Sequence, residues 1–198
     1  AALSSLNEVM QPLLGFSLLD ALQEEDPTRL QDTTVSQPLL FAIQMGITIL
    51  LKNLGIVPQA VMGHSVGEIT AAWAVGALSL QQAAQVIYAR SHAQGKTRGA
   101  GRMAALGLSA TAALELIQQM DLTGDVEIAG INSPSNVTLS GKLNALLQIQ
   151  AHVQPQNTFF HLLELDYAFH SSNMDSIQGL LARDLEGLSP SPTSAIFV

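Results

Sequence analysis

Apolar and polar positions along the chain change their spacing several times. Residues 5 to 24 carry apolar positions at helical spacing, interrupted at Pro12 and Gly15, and read as short helices. The stretch DPTRLQDTT, 26 to 34, is polar and loop-like. A mostly apolar helix is predicted from 36 to about 53, with Ser36 as its cap and Gly55 as its stop. Its longest apolar run, 38 to 51, is broken by Gln44 and Gly46, is too short to span a bilayer, and reads as a buried helix. A short strand follows at 60 to 62, then a helix from about 66 to 75 that stops at Gly76. Ser79 and Gln82, in S-L-Q-Q, make a capping-box pattern that starts a helix ending near Gly95.

The pattern changes after KTRGAGR, 96 to 102, a glycine-rich basic hinge. RMAALGL reads as a strand and SATAALELIQQM as a helix. VEIAGI and NVTLSG read as strands joined by NSPS, KLNALLQIQAHV as a helix and TFFHLLEL as a strand. That βαββαβ order over roughly 102 to 165 is the split ferredoxin-like unit. A loop and a helix, DYAFHSSNMDSIQGLLARDLEGL, come after it. The fold class is therefore α/β, with a small subdomain at 100 to 165 inserted into a larger one made of 1 to 99 plus 166 to 198.

Composition narrows the chemistry. With 198 residues and 47% hydrophobic side chains the chain can bury a good core. It has no cysteine, which excludes disulfides, thiolate zinc sites and a cysteine nucleophile, and agrees with a cytoplasmic setting. A net charge of -8 argues against nucleic acid as a partner. The five histidines include no pair at the i, i+4 spacing of a helical metal site, so no metal is expected. No signal peptide or membrane span is evident. The opening at Ala1 without methionine suggests a piece of a longer polypeptide.

The sharpest motif is VMGHSVGEIT, 61 to 70, in which Gly63 and Gly67 flank Ser65. G-x-S-x-G between a strand and a helix is the nucleophile elbow, and both glycines are expected to be demanded by the crowded turn. Ser65 would stand strained at the helix N-terminus, where the Val66 N–H points at a developing oxyanion. The bland alternative is a glycine-bounded turn with a serine cap. A serine nucleophile needs a base. His64 is adjacent but would leave the elbow in another direction, as a packing or hydrogen-bonding residue. His92, His152 and His161 fall elsewhere, and His170 lies in the loop after the inserted unit.

Arg90 is a second anomaly. On its helix it lies in line with Ala83, Val86 and Ile87, the core-facing stripe. A guanidinium there requires an anion. The partner is either a carboxylate or carbonyl of this chain, or a substrate carboxylate held by the planar fork. Physics alone leaves both open.

QPLLGFSLLD, VSQPLLFAIQMGI, GHSVGE, YARSHAQG, GAGRMAALGLSA, INSPSNVTLSG and DYAFHS, taken in that order, resemble the acyltransferase domains of modular type I polyketide synthases. More distantly they resemble malonyl-CoA:acyl carrier protein transacylases. The resemblance implies an α/β-hydrolase-like large subdomain with a ferredoxin-like small one. It implies Ser65 as the acylated nucleophile, His170 of YAFH as its base, the Val66 N–H as an oxyanion donor, and Arg90 as the holder of the extender unit's carboxylate. Gln37, in VSQPLLF, would line the cleft or brace its helix. Tyr167 and Phe169 would shape the extender pocket. Val66 and Phe169 are malonyl-like and Tyr167 methylmalonyl-like, so malonyl-CoA is the expected donor. The acceptor would be the phosphopantetheine of an acyl carrier protein, with a ketosynthase and other synthase domains as neighbours and no bound cofactor. Lys96, Arg98 and Arg102 are candidates for docking the carrier protein. The family's preceding strand and glutamine-bearing loop, and its closing strand and helix, are not in this sequence, so a chain truncated at both ends is expected.

Two rivals remain at this point. A thioesterase-like serine hydrolase shares the elbow but needs an acid between serine and histidine. Asp121, Asp125 and Asp166 are available by order, and none is well placed. A non-catalytic scaffold of the same fold is the other rival. Asn132 and Asn136, flanking NSPSN, read as structural turn residues.

Overall fold

The computed structural model describes residues 2 to 198. The chain forms two compact units, one of residues up to Gly95 together with Leu180–Val198, the other Lys96–Gly179. Residues 166 to 179, grouped with the large part on sequence, cluster with the second unit.

In the first unit, α1 (Ala2–Leu14) and the single turn α2 (Leu18–Ala21) precede a 3-10 turn, Pro27–Gln31, and the long α3 (Thr33–Asn53). The strand β1 (Ala60–Val61), α4 (Gly67–Ala74) and α5 (Leu80–Gly95) follow. α3 starts three residues earlier than its expected Ser36 cap. Asp32 is the cap: its Oδ1 accepts from Thr34 N at 2.9 Å and from Thr34 Oγ1 at 2.7 Å. A carboxylate reaching the first free N–H groups also meets the positive end of the helix dipole, so it outcompetes the serine downstream. The stop at Gly55 is as expected. Its φ is 79°, Ile56 N donates to Leu51 O and Gly55 N to Lys52 O, the paired bonds of a Schellman ending. At the next helix start, Ser79 N donates to Gln82 Oε1 at 2.8 Å and Gln82 N to Ser79 Oγ at 3.2 Å, so the capping box of α5 is reciprocal.

α3 is buried on one side only. Leu39, Phe41, Ala42 and Met45 join Leu6, Met10, Leu18, Val75 and Ile87 in the core, whereas Leu40, Ile43, Ile47 and Leu50 are exposed. By length and hydropathy α3 could cross a bilayer, but that buried side makes it a core helix of this unit. α5 packs on α3 through small residues. Ala83 and Ala84 are fully buried, and a Cβ on Gly95 would come within 2.7 Å of Thr34 Cγ2. Small side chains let the two backbones approach.

The second unit has the expected βαββαβ order. It comprises β2 (Arg102–Leu106), α6 (Ala110–Gln119), β3 (Val126–Ser133), β4 (Asn136–Gly141), α7 (Leu143–Val153) and β5 (Phe160–Leu162). Sheet order is β3-β4-β2-β5 and every neighbouring pair is antiparallel, the ferredoxin-like arrangement. Leu106, Val137 and Leu139 from the sheet pack with Leu116 and Ile117 of α6 and Leu146 and Ile149 of α7. The hairpin is tighter than NSPS suggests. Ser133 pairs with Asn136, and Asn132 Nδ2 braces the turn by donating to Thr138 Oγ1 at 2.9 Å and Asn136 Oδ1 at 3.2 Å.

α8 (Gln178–Asp184) carries the chain back into the first unit. There β6 (Ile196–Phe197) pairs parallel with β1, Ala60 opposite Ile196.

Candidate active site

β1 delivers the chain to the elbow and α4 carries it away. Ser65 sits between them with φ of 53°, the left-handed region that few non-glycine residues occupy. Gly67 N donates to His64 O at 3.0 Å and Glu68 N to Ser65 O at 3.1 Å, closing the turn onto the helix. Gly63 is obligatory: a Cβ there would fall on the backbone nitrogen of Glu68 and the carbonyl carbon of Gly67. Gly67 differs from expectation. Among the described residues the only atom near its would-be Cβ is Gln44 Nε2, at 3.9 Å, and its φ is not positive. The crowding that fixes this elbow comes from its own first helical turn, acting on Gly63. Val66 is the N-cap of α4 with helical angles, so its N–H belongs to the donors that an α-helix leaves without an internal partner.

Arg90 of α5 reaches this serine. Its Nη2 donates to Ser65 Oγ at 2.8 Å, and its Nη1 donates to Gln37 Oε1. Gln37, on the first turns of α3 and 7% exposed, donates through Nε2 to Gln94 Oε1 at 2.7 Å and to Thr33 Oγ1. Burial pushes the Arg90 guanidinium below its ordinary pKa, and the nearby Glu68 carboxylate opposes that shift. The neighbour that accepts from Nη1 is thus an amide oxygen, and no ion pair within 4 Å ties Arg90 to a carboxylate among the described residues.

The second unit carries the other expected residues on one short segment. Tyr167 is 1% exposed and its ring stacks on that of Phe169, centroids 4.9 Å apart and planes 8° apart. Phe169 is half-buried, and His170 is exposed with φ of 58°. The turn is anchored on both flanks. Ser171 Oγ donates to Ala168 O at 2.7 Å, and Ser172 donates to the Glu127 carboxylate of β3 through its hydroxyl and its N–H, the latter at 3.1 Å.

Several expectations change here. His64 is exposed and not packed, and His92 stacks on Tyr88 at 5.5 Å. The hinge cations Arg98 and Arg102 both face Asp166, at 3.9 Å for Arg98, so that carboxylate offsets part of the positive charge expected there. Lys142 likewise holds Asp125 at 2.6 Å. Two of the three carboxylates considered for a hydrolase triad, Asp125 and Asp166, are therefore engaged by cations. A cavity of ≈ 580 Å³ opens beside the elbow, lined by Ile47, Leu51, Met62, Gly63, His64 and Gly67, but neither Ser65 nor Arg90 lines it. Among the described residues no cluster of His, Asp and Glu is arranged to hold a metal.

Residues missed on sequence are Thr33, Gln94, Glu127 and Ser172. The first two had a signal: Thr33 lies four before Gln37 on α3 and Gln94 four after Arg90 on α5, the spacing that stacks side chains on one helix face. Glu127 and Ser172 are 45 residues apart, and no local spacing joins them.

The family model for the acyl transferase domain matches residues 1 to 197. The chain belongs to the acyl transferase domain family. Among curated relatives of this acyl transferase domain, a highly reducing polyketide synthase, fogA of Aspergillus ruber, is 42% identical over 173 residues, 87% of this chain and 7% of that protein. Mycoketide-CoA synthase of Mycobacterium tuberculosis is 36% identical over 192 residues, 96% of this chain and 5% of that protein. The domain thus spans a small fraction of the multidomain synthases it matches. Among solved structures, the acyltransferase domain from module 8 of the salinomycin polyketide synthase superposes with a TM-score of 0.91 at 29% identity, covering 99% of this chain and 46% of that one. Malonyl-CoA:ACP transacylase of Synechocystis superposes with a TM-score of 0.84 at 28% identity, covering 100% of this chain and 65% of that one. The two-part acyltransferase fold is shared with both.

Proposed function

We propose that this domain moves a malonyl unit from coenzyme A, through an ester on Ser65, to the phosphopantetheine thiol of an acyl carrier protein, as one part of a polyketide synthase. The observation that carries this reading is the 2.8 Å contact from Arg90 Nη2 to Ser65 Oγ. A cation with no carboxylate within 4 Å among the described residues stands beside the nucleophile. In a malonyl ester the free carboxylate is two bonds from the acyl carbon, so a fork that touches Oγ is near the anion such a substrate brings. An uncharged acyl group would leave that guanidinium unmatched.

His170 accepts the Ser65 proton as Oγ attacks the thioester carbonyl. The oxyanion meets the Val66 N–H at the start of α4. The carbon–sulfur bond breaks, and His170 returns the proton to the departing thiol of coenzyme A. In the second half the carrier thiol gives its proton to His170 and attacks the acyl-serine. The carbon–oxygen bond breaks and Ser65 recovers the proton. The substrate arrives already activated as a thioester, so no bound cofactor enters the scheme. On this reading Phe169 fills the space an α-methyl group would need, and the buried Tyr167, stacked on it, supports that ring. A ketosynthase and other synthase domains are the neighbours that follow from this reading, in the cytoplasm.

The test is mass spectrometry of the full-length protein after exposure to malonyl-CoA. A malonyl adduct on Ser65 is expected, slowed severely in His170→Ala and little in His64→Ala. The adduct should pass to a carrier-protein thiol faster than to water. Absence of the adduct, or loss to water alone, refutes the assignment.

A further inference from the structure

The Arg90 fork is held by a relay that starts two residues away from it, in the interface of α3 and α5. Arg90 has only donors, so Gln37 must turn its oxygen toward it. That orientation is not intrinsic to a glutamine. A half-turn about the last side-chain bond exchanges Oε1 and Nε2 and would set an amide NH₂ against the guanidinium. Gln94 opposes that half-turn with an oxygen that can only accept, and Thr33, whose hydroxyl can also donate, adds a second bond on the Nε2 side. Gln94 Oε1 and Thr33 Oγ1 each accept from Gln37 Nε2, and Gln94 offers its oxygen at 2.7 Å. Gln37 and Thr33 are 7% and 3% exposed, so water is a poor substitute for the bond between them, and Gln94 is partly buried.

The fold builds this arrangement from helical spacing and close packing. Thr33 and Gln37 stand one turn apart on α3, Arg90 and Gln94 one turn apart on α5. Gly95 and the buried Ala83 and Ala84 let the two helices approach closely enough for an amide to bridge them. Each of the two polar pairs would be an unsatisfied burden without the other.

We propose that Thr33 and Gln94 are positioning residues for acyl selection: by fixing the amide of Gln37 they fix the plane of the Arg90 fork that receives the substrate carboxylate. This rests on the role given above to Arg90. The relay acts on the carboxylate alone, so its loss penalises malonyl and spares acyl groups that lack one. The substitutions that test it change hydrogen bonding and little else: Thr33→Val keeps the shape without the hydroxyl, and Gln94→Met keeps the length without the amide oxygen.

The experiment measures initial rates of Ser65 loading from malonyl-CoA and from acetyl-CoA in the full-length protein, for the two single variants and their combination. Losing one neutral hydrogen bond should lower the malonyl-to-acetyl ratio of kcat/KM about 3-fold, and losing both about 10-fold. The change should fall mainly on the KM for malonyl-CoA. Thr33→Ser restores the hydroxyl and should restore the ratio. Acetyl loading in the same preparations reports whether each variant is folded. If the double variant misfolds, the two single variants carry the comparison. A ratio within about twofold of the parent in folded variants overturns the relay. Arg90→Ala separates the two claims. If it collapses the ratio while the relay variants do not, only the relay is wrong; if it too leaves the ratio unchanged, both claims fall.

Discussion

If Arg90 receives the substrate carboxylate as proposed, replacing it by alanine should abolish the preference for carboxylated acyl groups. A bidentate pair between a guanidinium and a carboxylate comprises two charge-assisted hydrogen bonds, at about 1.5–3 kcal/mol each. Their sum, about 3–6 kcal/mol, corresponds to roughly 10²–10⁴ in kcat/KM. Arg90 is only partly buried, and solvent screening argues for the lower end, about 10²-fold. Acetyl loading should change far less, because no acetyl atom needs the fork. Stability moves in two directions. Gln37 Oε1 loses its donor inside the α3–α5 interface, at about 1 kcal/mol. Removing a cation whose pKa burial has depressed offsets part of that. A depressed value for a cationic group means that folding gains as pH rises through the folded-state value. Arginine stays protonated across the working range, so malonyl selectivity should show no inflection from Arg90. Arg90→Lys keeps a charge but loses the planar fork, and should fall between parent and alanine. The assay is competition between malonyl-CoA and acetyl-CoA for Ser65, read by mass. An alanine variant that loads malonyl as selectively as the parent would refute the placement of the carboxylate at Arg90.

Three other outcomes follow from the same geometry. Gly63→Ala puts a Cβ onto the backbone of the first turn of α4, and should cost at least about 2 kcal/mol of stability along with Ser65 acylation, checked by thermal melting and adduct formation. Glu127→Ala frees the turn that bears His170 and should slow acylation about 10-fold, measured as the rate of adduct formation, while Glu127→Gln keeps an acceptor for Ser172 and should recover most of the rate. Phe169→Ser opens the volume beside His170 and should raise methylmalonyl relative to malonyl loading by about 1–3 kcal/mol in a direct competition of the two thioesters; an unchanged preference would mean that Phe169 does not face the α-carbon.

What the sequence made readable was what local spacing encodes. The ferredoxin-like unit could be read strand by strand because short apolar runs and the alternating NVTLSG of β4 are separated by helical patterns, and because α6 starts at a short-range signal, Ser109, whose hydroxyl accepts from Ala112 N at 3.2 Å. Ser65 was visible as a motif, and the positive φ that makes it an elbow follows from that motif. Arg90 was visible as a charge on an apolar stripe. Two kinds of feature were not readable. Competition between neighbouring caps misled the start of α3, because Asp32 and Ser36 both suit a helix start and only the backbone decides between them. Long-range polar pairs were hidden as well: the Glu127–Ser172 anchor and the Asp166 clamp on Arg98 and Arg102 join residues that no periodicity connects. The family motifs pointed to Ser65, Arg90 and His170, and were silent on what holds them.

The α3–α5 interface shows why those supporting groups lie where they do. It is an apolar contact of alanines, Phe41 and Ile87 into which Thr33, Gln37 and Gln94 intrude. Apolar side chains of similar volume would pack there without any desolvation penalty, and a buried polar network is tolerated only when every member is satisfied. Here satisfaction is mutual along the chain of bonds from Thr33 and Gln94 to Gln37 and on to Arg90, and it ends at Ser65 Oγ. The network therefore has one terminus in the core and the other on the nucleophile. Loss of any inner member would leave a buried amide partly unpaired and a fork free to rotate. Stability and selectivity should consequently fall together for changes at Gln37, whereas changes at Arg90 should reduce selectivity with little loss of stability. That contrast, measured as melting temperature against the malonyl-to-acetyl ratio, distinguishes a network built to aim a charge from one that merely fills a polar gap between helices.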